Sequence, residues 1–251
     1  MVNLEINSDI ISDVKLAIFD KDGTLMDLYH YWSQMVSLRV ELARKELGFS
    51  AEQKEEIMYA MGVNLQNRKL RDSGPVGLKK REIVMQAMID SLDKLGFNDT
   101  HNLCFDIFKE ADRISQNCLG EMIKPVNGMH QLISLLHKKG CGIAVATTDK
   151  TERAKLALRF LGISDKVSFV VGEDMVQNYK PYPDMINLVL ERLSIDKNNA
   201  VMVGDAITDV EMGLNAGVKA AIGVCSGLAS KEALMEKTRY VAEDISHIKI
   251  A

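Results

Sequence analysis

Two carboxylates stand two positions apart just after an apolar run near the start of the chain. The run is Leu16–Phe19, and residues 20–24 then read DKDGT. An extended chain sends alternate side chains to the same side, so Asp20 and Asp22 face one site, while Gly23 permits a turn. Such a pair can supply a nucleophile, a proton donor and cation ligands. For this motif alone, a strand followed by an acidic turn without a catalytic role is the alternative.

Polar side chains follow three later apolar runs in a similar way. The second run is followed by Thr147 and Thr148, the third by Lys180, and the fourth by Asp205 and Asp209. Each alone has an ordinary explanation, because a Thr or Asp at a strand end can cap a helix and a loop lysine can be solvated. Together they bring a hydroxyl, a lysine and a second acid pair to the rim of one sheet, which favours a catalytic site.

The apolar runs predict the sheet that positions these residues. Runs with the length of buried strands are Leu16–Phe19, Gly142–Ala146, Val167–Val171, Ala200–Val203, Ala220–Val224 and the weaker Tyr240–Ala242. Helical patterns between the later runs are Met129–Lys139, Glu152–Leu161 and Pro183–Leu193. Strand followed by helix, repeated, predicts a parallel sheet with helices on both faces. Ligands bind at the carboxyl ends of such strands, where the polar residues stand.

Residues 27–124 interrupt this alternation, because they carry helix signals and almost no strand signals. The predicted helices are Tyr31–Leu47, one that begins at Ser50 with Gln53 completing a capping box, Leu78–Leu95 and His101–Leu119. We therefore predict an α/β core domain formed by residues 1–26 and 125–251. Residues 27–124 form a helical domain inserted after the first strand.

The set of motifs resembles that of the haloacid dehalogenase superfamily of phosphohydrolases: DxDGT, a Thr or Ser at a strand end, a Lys and GDxxxD. The resemblance covers nearly the whole chain outside the helical insertion. It implies a three-layer Rossmann-like parallel sheet core with an inserted α-helical cap domain. It also implies hydrolysis through an aspartyl-phosphate, with Asp20 as the nucleophile and Asp22 as the acid and then the base.

The same resemblance implies Mg²⁺ as the cofactor. Asp20, Asp205 and the backbone carbonyl of Asp22 would hold the ion, and Asp209 would act through water or by orienting the ligands. A carboxylate can attack a phosphate dianion only if a cation offsets the negative charge already present, so the implied ion suits the implied chemistry.

The phosphate-binding groups are also implied by the resemblance. The Thr147 hydroxyl and nearby backbone N–H groups would bind the phosphoryl oxygens, and Thr148 is the alternative one position along. Lys180 would neutralise both the phosphate and Asp20.

The position of the helical insertion resembles a subgroup that contains phosphoglycolate phosphatases, β-phosphoglucomutases and phosphonoacetaldehyde hydrolases. Residues 170–184 are similar to the corresponding part of phosphoglycolate phosphatases. We therefore expect a phosphatase acting on a small, phosphoglycolate-like phosphate monoester, with a β-phosphoglucomutase-type phosphomutase as the alternative. Asp22 argues against a dehalogenase, which has no leaving oxygen to protonate. Two residues depart from the subgroup: Leu28 follows Asp27 where relatives usually have Ser, and Ala206 stands where they often have a polar residue.

Substrate choice is expected to depend on the helical insertion. His30 and Trp32 follow the first linker and are candidates for substrate contact, although packing inside the protein is equally consistent with their types. Arg68 and Arg71 belong to a basic cluster and are candidates for binding a second anionic group of the substrate. A solvated helical face is the alternative for that cluster.

Composition narrows the range of partners. The 251 residues carry a formal net charge of −4, which gives no general attraction toward nucleic acid. No apolar run approaches the roughly 18 to 20 residues that span a bilayer, and residues 1–15 have no secretory pattern, so we expect no membrane partner and a cytoplasmic location. A small phosphate ester is the expected partner, and the sequence carries no signal for an oligomeric state.

Overall fold

The structure, a computed structural model, describes residues 1–71, 73–77 and 79–251. The chain divides into two compact units. One, the core unit, is formed by Met1–Asp27 together with Ile123–Ala251. The other, the helical unit, is formed by Leu28–Met122.

Strands belong mainly to the core unit. In chain order they are β1 (Val2–Ile6), β2 (Asp9–Val14), β3 (Leu16–Phe19), β4 (Val63–Asn64), β5 (Lys69–Leu70), β6 (Gly142–Ala146), β7 (Phe169–Val171), β8 (Ala200–Gly204), β9 (Ala220–Val224), β10 (Val241–Ala242) and β11 (Lys249–Ile250).

The α-helices, in chain order, are α1 (Leu28–Leu47), α2 (Ala51–Ala60), α3 (Arg81–Lys94), α4 (His101–Asn117), α5 (Leu119–Met122), α6 (Met129–Lys138), α7 (Thr151–Phe160), α8 (Asp184–Leu193), α9 (Ile207–Ala216) and α10 (Lys231–Met235). The first five belong to the helical unit and the others to the core unit.

A six-stranded parallel sheet forms the centre of the core unit, in the order β10-β9-β8-β3-β6-β7. The prediction of an α/β fold with a parallel sheet is thereby confirmed, and all six predicted strands are present. Strand β3 lies between β6 and β8, with Phe19 opposite Val145 on one side and Val203 on the other. The third predicted strand begins later than expected, at Phe169.

Both faces of this sheet are buried. Leu16 and Ile18 of β3 belong to an apolar cluster with Met185 of α8 and Met212 of α9. Alternate residues of a strand point to opposite faces, so Ala17 and Phe19 point the other way, and they too are buried. A strand covered on both faces reads as a continuous apolar run, which explains why β3 is visible in the sequence.

A second sheet, antiparallel and ordered β11-β1-β2, was not anticipated. The strand expected to be first is therefore the third of the chain. Val2, Leu4 and Ile6 are buried and alternate with polar residues, which is the period of a half-buried strand. Asn7 and Ser8 follow at φ of 49° and 76°, the left-handed conformation of a tight hairpin turn. The alternating pattern and the turn together cover only residues 2–8. The strand that pairs with the other edge of β1 is β11, from the far end of the chain.

The helical unit has its own apolar core, which includes Val36 and Val40 of α1 and Phe108 of α4. The capping box at α2 is confirmed, because the Ser50 hydroxyl accepts the N–H of Gln53 at 3.3 Å and the Gln53 side chain accepts the N–H of Ser50 at 2.8 Å.

Several features of the helical unit differ from expectation. Helix α1 begins at Leu28, three residues before the predicted start at Tyr31. Helix α3 begins at Arg81, and Leu78, its predicted first residue, lies outside the described residues. Helix α4 ends at Asn117, so Leu119 starts the separate short helix α5. The two-residue strands β4 and β5 pair where no strand was predicted.

A search of the described residues found no helix with both the length and the apolar character that crossing a bilayer requires.

Candidate active site

The topology of the parallel sheet brings the predicted motifs to one edge. The chain passes from β3 to β6 and β7 on one side, then returns to β8, β9 and β10 on the other. Asp20 follows β3 and Asp205 follows β8, so the two acids stand where the direction of winding changes, the usual ligand-binding position in such sheets. The N–H of Asp20 donates to the carbonyl of Val203 at 2.8 Å, which continues the β3–β8 ladder as far as the acid.

Three acids form a buried cluster at this position. Oxygen atoms of Asp20, Asp205 and Asp209 lie within 4.8 Å of one another, and all three residues are buried. The ammonium of Lys180 contacts Asp20 Oδ1 and lies 2.7 Å from Asp209 Oδ1. The cluster therefore contains three carboxyl groups, and one ammonium contacts two of them, which leaves an excess of negative charge when all three acids are ionised.

This excess of negative charge helps to raise the pKa values of Asp20, Asp205 and Lys180. Burial raises the pKa of Asp20 to about 7; Lys180 opposes the shift, while the charges of Asp209 and Asp22 add to it. Burial, together with the charges of Asp20 and Asp209, also raises the pKa of Asp205 well above its usual value. Burial alone would lower the pKa of Lys180, but its acidic neighbours outweigh burial and raise it, so the lysine stays charged.

Asp205 is held by donors and by glycines. The Thr24 hydroxyl donates to its Oδ1 at 3.0 Å, and the N–H of Leu228 donates to its Oδ2 at 3.0 Å. A Cβ on Gly23 would lie 2.5 Å from Oδ2, and a Cβ on Gly227 would overlap the same atom. Only backbone without side chains can approach this carboxylate so closely.

Asp209 is fixed within the first turn of α9. Its Oδ2 accepts the N–H of Ala206 at 3.0 Å, so the acid serves as a cap while its other oxygen faces Lys180. A Cβ on Gly204 would overlap the Asp209 side chain, which explains the glycine before Asp205 in the fourth motif.

Asp22 stands apart from the buried cluster. Its side chain is 33% exposed, and its Oδ1 lies 2.6 Å from the ammonium of Lys21. Lys21 is only 3% exposed and also lies 3.6 Å from Asp149 Oδ2. Burial would lower the pKa of Lys21, but the charges of Asp22 and Asp149 outweigh it and raise the pKa, so this second ammonium is also charged.

The two threonines of the second motif differ in burial. Thr147 is fully buried, and its N–H continues the sheet by donating to Val171 at 3.0 Å. Its Oγ1 accepts the N–H of Asp149 at 3.2 Å, which leaves the hydroxyl proton to donate elsewhere. Thr148 is exposed.

The donor set of the cluster suits a hard divalent cation. Asp20, Asp205 and Asp209 offer carboxylate oxygens, the ligands that Mg²⁺ prefers. The raised pKa values of Asp20 and Asp205 reflect the positive charge that the cluster lacks. Gly23 and Gly227 allow the backbone to approach Asp205 closely, so little space is left around its carboxylate.

A family model for haloacid dehalogenase-like hydrolases matches residues 14–217. The chain belongs to this family. The predicted membership is thus confirmed, and the match includes the acid cluster and the lysine that faces it.

Relatives with long matches carry phosphatase names. A phosphorylated carbohydrates phosphatase of Thermotoga maritima is 27% identical over 223 residues, which cover 89% of this chain and 91% of the relative. A phosphoglycolate phosphatase of Aquifex aeolicus is 24% identical, with 84% and 85% covered. Pyrophosphatase PpaX of Halalkalibacterium halodurans is 32% identical, but that match covers 41% of this chain and spans only 47%, about half, of the relative's length.

Solved structures of low identity share the fold. A predicted phosphoglycolate phosphatase from Haemophilus somnus superimposes with a TM-score of 0.67 at 18% identity, covering 94% of this chain and 96% of its own. A β-phosphoglucomutase candidate from Thermotoga maritima gives a TM-score of 0.65 at 23% identity, with 91% and 94% covered.

The four candidate substrate residues of this haloacid dehalogenase-like hydrolase lie in the helical unit, and His30, Trp32 and Arg71 have partners there. Trp32 packs against the core of that unit. A ring nitrogen of His30 lies 3.1 Å from the carbonyl of Glu121. The Arg71 guanidinium donates to the carbonyl of Tyr59 at 2.9 Å and stacks on its ring.

Arg68 is exposed and has a left-handed backbone with φ of 53°. A role for any of these four residues in substrate selection stays a prediction.

Sequence analysis did not single out several groups that surround the site. The first motif contains Thr24 but predicts no contact for its hydroxyl, and no motif points to Gly227 or to the N–H of Leu228. The available signal is the sequence Ser-Gly-Leu-Ala-Ser, which begins at Ser226 and is separated from the end of β9 by Cys225, because a glycine there permits close backbone approach. Lys21 gave no signal, because nothing in its spacing shows that it is buried.

Proposed function

We propose that this chain is a magnesium-dependent phosphatase that hydrolyses a small phosphate monoester, such as phosphoglycolate, through an aspartyl-phosphate on Asp20. The observation that carries the proposal is the Asp20 carboxyl group, buried at the carboxyl end of the central parallel strand between Lys180 and two further acids. The phosphatase names of relatives matched over most of their length support the reaction class.

Asp20, Asp205 and the backbone carbonyl of Asp22 are the proposed ligands of Mg²⁺, with Asp209 acting through water or by orienting them. When bound, the ion supplies positive charge that offsets the carboxylates and the substrate phosphate. Lys180 contributes a second positive charge next to Asp20, which favours the ionised, nucleophilic form of that acid.

The reaction proceeds in two halves. In the first, an Asp20 oxygen bonds to phosphorus as the ester bond breaks, and Asp22 gives a proton to the departing alcohol. In the second, Asp22 takes a proton from water as the water oxygen bonds to phosphorus, and Asp20 leaves as a carboxylate. Asp22 suits this role because its side chain is partly exposed, so it can exchange protons with substrate and water.

Phosphoryl oxygens need donors during both halves. The Thr147 hydroxyl is the proposed donor, because its oxygen already accepts the N–H of Asp149 and its proton is therefore directed elsewhere. Lys180 would neutralise the phosphate as a point charge next to Asp20.

The test is phosphate release from phosphoglycolate, sugar phosphates and nucleoside monophosphates, with Mg²⁺ and with a chelator. We expect release that depends on Mg²⁺ and falls to background in Asp20→Asn. Asp165→Asn is the matched control, because it makes the same chemical change at an exposed surface acid. Release unaffected by Asp20→Asn would contradict the proposed nucleophile, and no release from any ester would contradict the phosphatase.

The phosphomutase alternative is separated by the fate of the phosphoryl group. A sugar monophosphate supplied with its bisphosphate would be isomerised without net phosphate release by a mutase. A phosphatase would release one phosphate for each ester consumed.

A further inference from the structure

Lys21 lies between the two acids of the first motif and has its own partners. Asp20 pairs with Lys180, whereas Lys21 pairs with Asp22 at 2.6 Å and with Asp149 at 3.6 Å. Its side chain is almost completely buried although it carries a charge. A buried ammonium is costly unless it is paired, so the two acids must define where it lies.

The contact also restricts Asp22. A third of the Asp22 side chain is exposed, and an exposed aspartate in isolation samples several rotamers. The Lys21 ammonium holds Oδ1 of that carboxylate from the buried side. Asp22 is therefore held in one place by a residue that is itself immobilised by the surrounding protein.

We infer that Lys21 is a positioning residue that holds Asp22 Oδ1 so that the second oxygen, Oδ2, exchanges the proton with the leaving group and with water. The inference rests on the proposed phosphatase function. Lys21 acts through Asp22 rather than on Asp20, because its ammonium pairs with Asp22 and Asp149, whereas the ammonium that contacts Asp20 belongs to Lys180. Lys180 is the lysine left for the phosphate and Asp20.

Asp149 extends this arrangement to the second motif. Its Oδ2 faces Lys21, while its N–H donates to Thr147 Oγ1 at 3.2 Å. One buried ammonium thus links the proton-transferring acid to the loop that carries the proposed phosphate donor. Displacing Lys21 should disturb proton transfer first, since the Thr147 contact is made by backbone.

The proton balance of the first half-reaction provides a specific test. When the ester bond breaks, an alkoxide leaving group must receive the Asp22 proton, whereas p-nitrophenolate departs stably without one. The value of kcat/KM for a two-step transfer reports the reaction through departure of the alcohol. If Asp22 is no longer held in position, kcat/KM should therefore fall most for esters of weakly acidic alcohols. A plot of log kcat/KM against the pKa of the leaving group should become steeper.

The experiment compares Lys21→Met with wild type on alkyl, phenyl and p-nitrophenyl phosphates in saturating Mg²⁺. We expect kcat/KM to fall about 10- to 100-fold for the alkyl ester, less than the roughly 100- to 10,000-fold that a general acid contributes, because Asp22 itself is retained. The fall should be less than about 3-fold for p-nitrophenyl phosphate. Asp22→Asn should show the same steepened dependence. Lys231→Met, which removes an exposed ion pair with Glu243, is the matched control and should change neither value.

Lys21→Gln is the second variant if Lys21→Met does not fold, and the same steepening is expected because it also removes the charge. Lys21→Arg keeps the charge and should recover part of the loss. Equal losses for all esters, or none, in an active wild-type background would overturn the role of Lys21 alone. A wild-type protein that hydrolyses no ester would overturn the phosphatase, and this inference with it.

Discussion

Gly227 lies so close to Asp205 that a Cβ on the glycine would overlap the Asp205 Oδ2 atom. The same oxygen accepts the N–H of Leu228, the next residue, at 3.0 Å. The loop after β9 therefore contributes backbone, not side chains, to the acid cluster. The position of Asp205 depends on that loop as much as on β8.

Gly227→Ala should displace Asp205 and impair the site. We expect a large rise in the Mg²⁺ concentration needed for half-maximal activity, because the methyl group would occupy the space of the carboxylate. Activity measured against Mg²⁺ concentration checks this. Gly140→Ala is the control: it places a side chain at a φ of 72° with nothing within 4 Å, so it should cost stability, about 1 kcal/mol, without changing the metal dependence. If Gly227→Ala and Gly140→Ala needed the same Mg²⁺ concentration for half-maximal activity, the loop after β9 would have moved to accommodate the added methyl group.

Thr24→Val should weaken cation binding while keeping the shape of the residue. The substitution removes the hydroxyl that donates to Asp205 Oδ1, a bond that opposes the rise in the pKa of Asp205 caused by burial. We expect the half-saturating Mg²⁺ concentration to rise by roughly 10- to 100-fold, since a hydrogen bond to a charged group contributes about 1.5 to 3 kcal/mol.

Thr238→Val provides the comparison for Thr24→Val. It removes a hydrogen bond of 2.7 Å to the carbonyl of Ala221 and should lower stability without changing the Mg²⁺ requirement. An unchanged Mg²⁺ requirement in Thr24→Val would show that its hydroxyl serves folding only.

The raised pKa of Asp20 should make the metal-free protein less stable as pH rises. Burial raises the pKa of Asp20 from 3.8 to about 7, so between these values the folded state keeps a proton that the unfolded state releases. A folded state that binds more protons is destabilised by rising pH. Urea unfolding in a chelator should therefore show wild type losing stability relative to Asp20→Asn from about pH 4 to about pH 7. A constant difference over this interval would argue against the raised pKa.

Two substitutions in the helical unit should differ in their effect on stability. Arg39 is 4% exposed, stacks on Phe108 at 4.1 Å and lies 3.6 Å from Asp112, and its burial lowers its pKa to about 10. Arg39→Met should change the free energy of unfolding by less than about 1 kcal/mol, because an apolar side chain of similar length avoids the cost of burial.

Asp112→Asn should cost more, about 1 to 3 kcal/mol, because it leaves the buried Arg39 without its carboxylate; the partial exposure of Asp112 reduces the expected loss. Urea unfolding of both variants measures the difference. A larger loss of unfolding free energy for Arg39→Met than for Asp112→Asn would mean that the Arg39–Asp112 ion pair itself stabilises the helical unit.

The sequence predicts the parallel sheet well because its strands are buried on both faces. Such strands are continuous apolar runs, and they are unlike the helices between them. Strands β1 and β2 escape prediction because they are exposed on one side and so are not continuous apolar runs, and because β11, which pairs with β1, comes from the other end of the chain. The start of α4 agrees with the prediction, whereas its end and the separate α5 depend on packing that no local signal reports.

The candidate site is predictable where type and spacing coincide. Asp20, Lys180, Asp205 and Asp209 meet in the structure as motifs at adjacent strand ends imply, and their catalytic roles stay proposals. Lys21 is different. Its type gave no reason to place it inside the protein, and only the three-dimensional arrangement shows that Asp22 and Asp149 surround its charge.

The central position of β3 in the sheet has a consequence for how the protein is made. Leu16 pairs with Gly142 and Ala200, which are synthesised long after it. The helical unit is one continuous segment and can fold as soon as it emerges from the ribosome, whereas the apolar strand before it must wait for two distant partners. During that interval the newly made chain exposes an unpaired strand edge. Production of this protein should therefore depend on chaperones, or on slow translation, more than its size suggests.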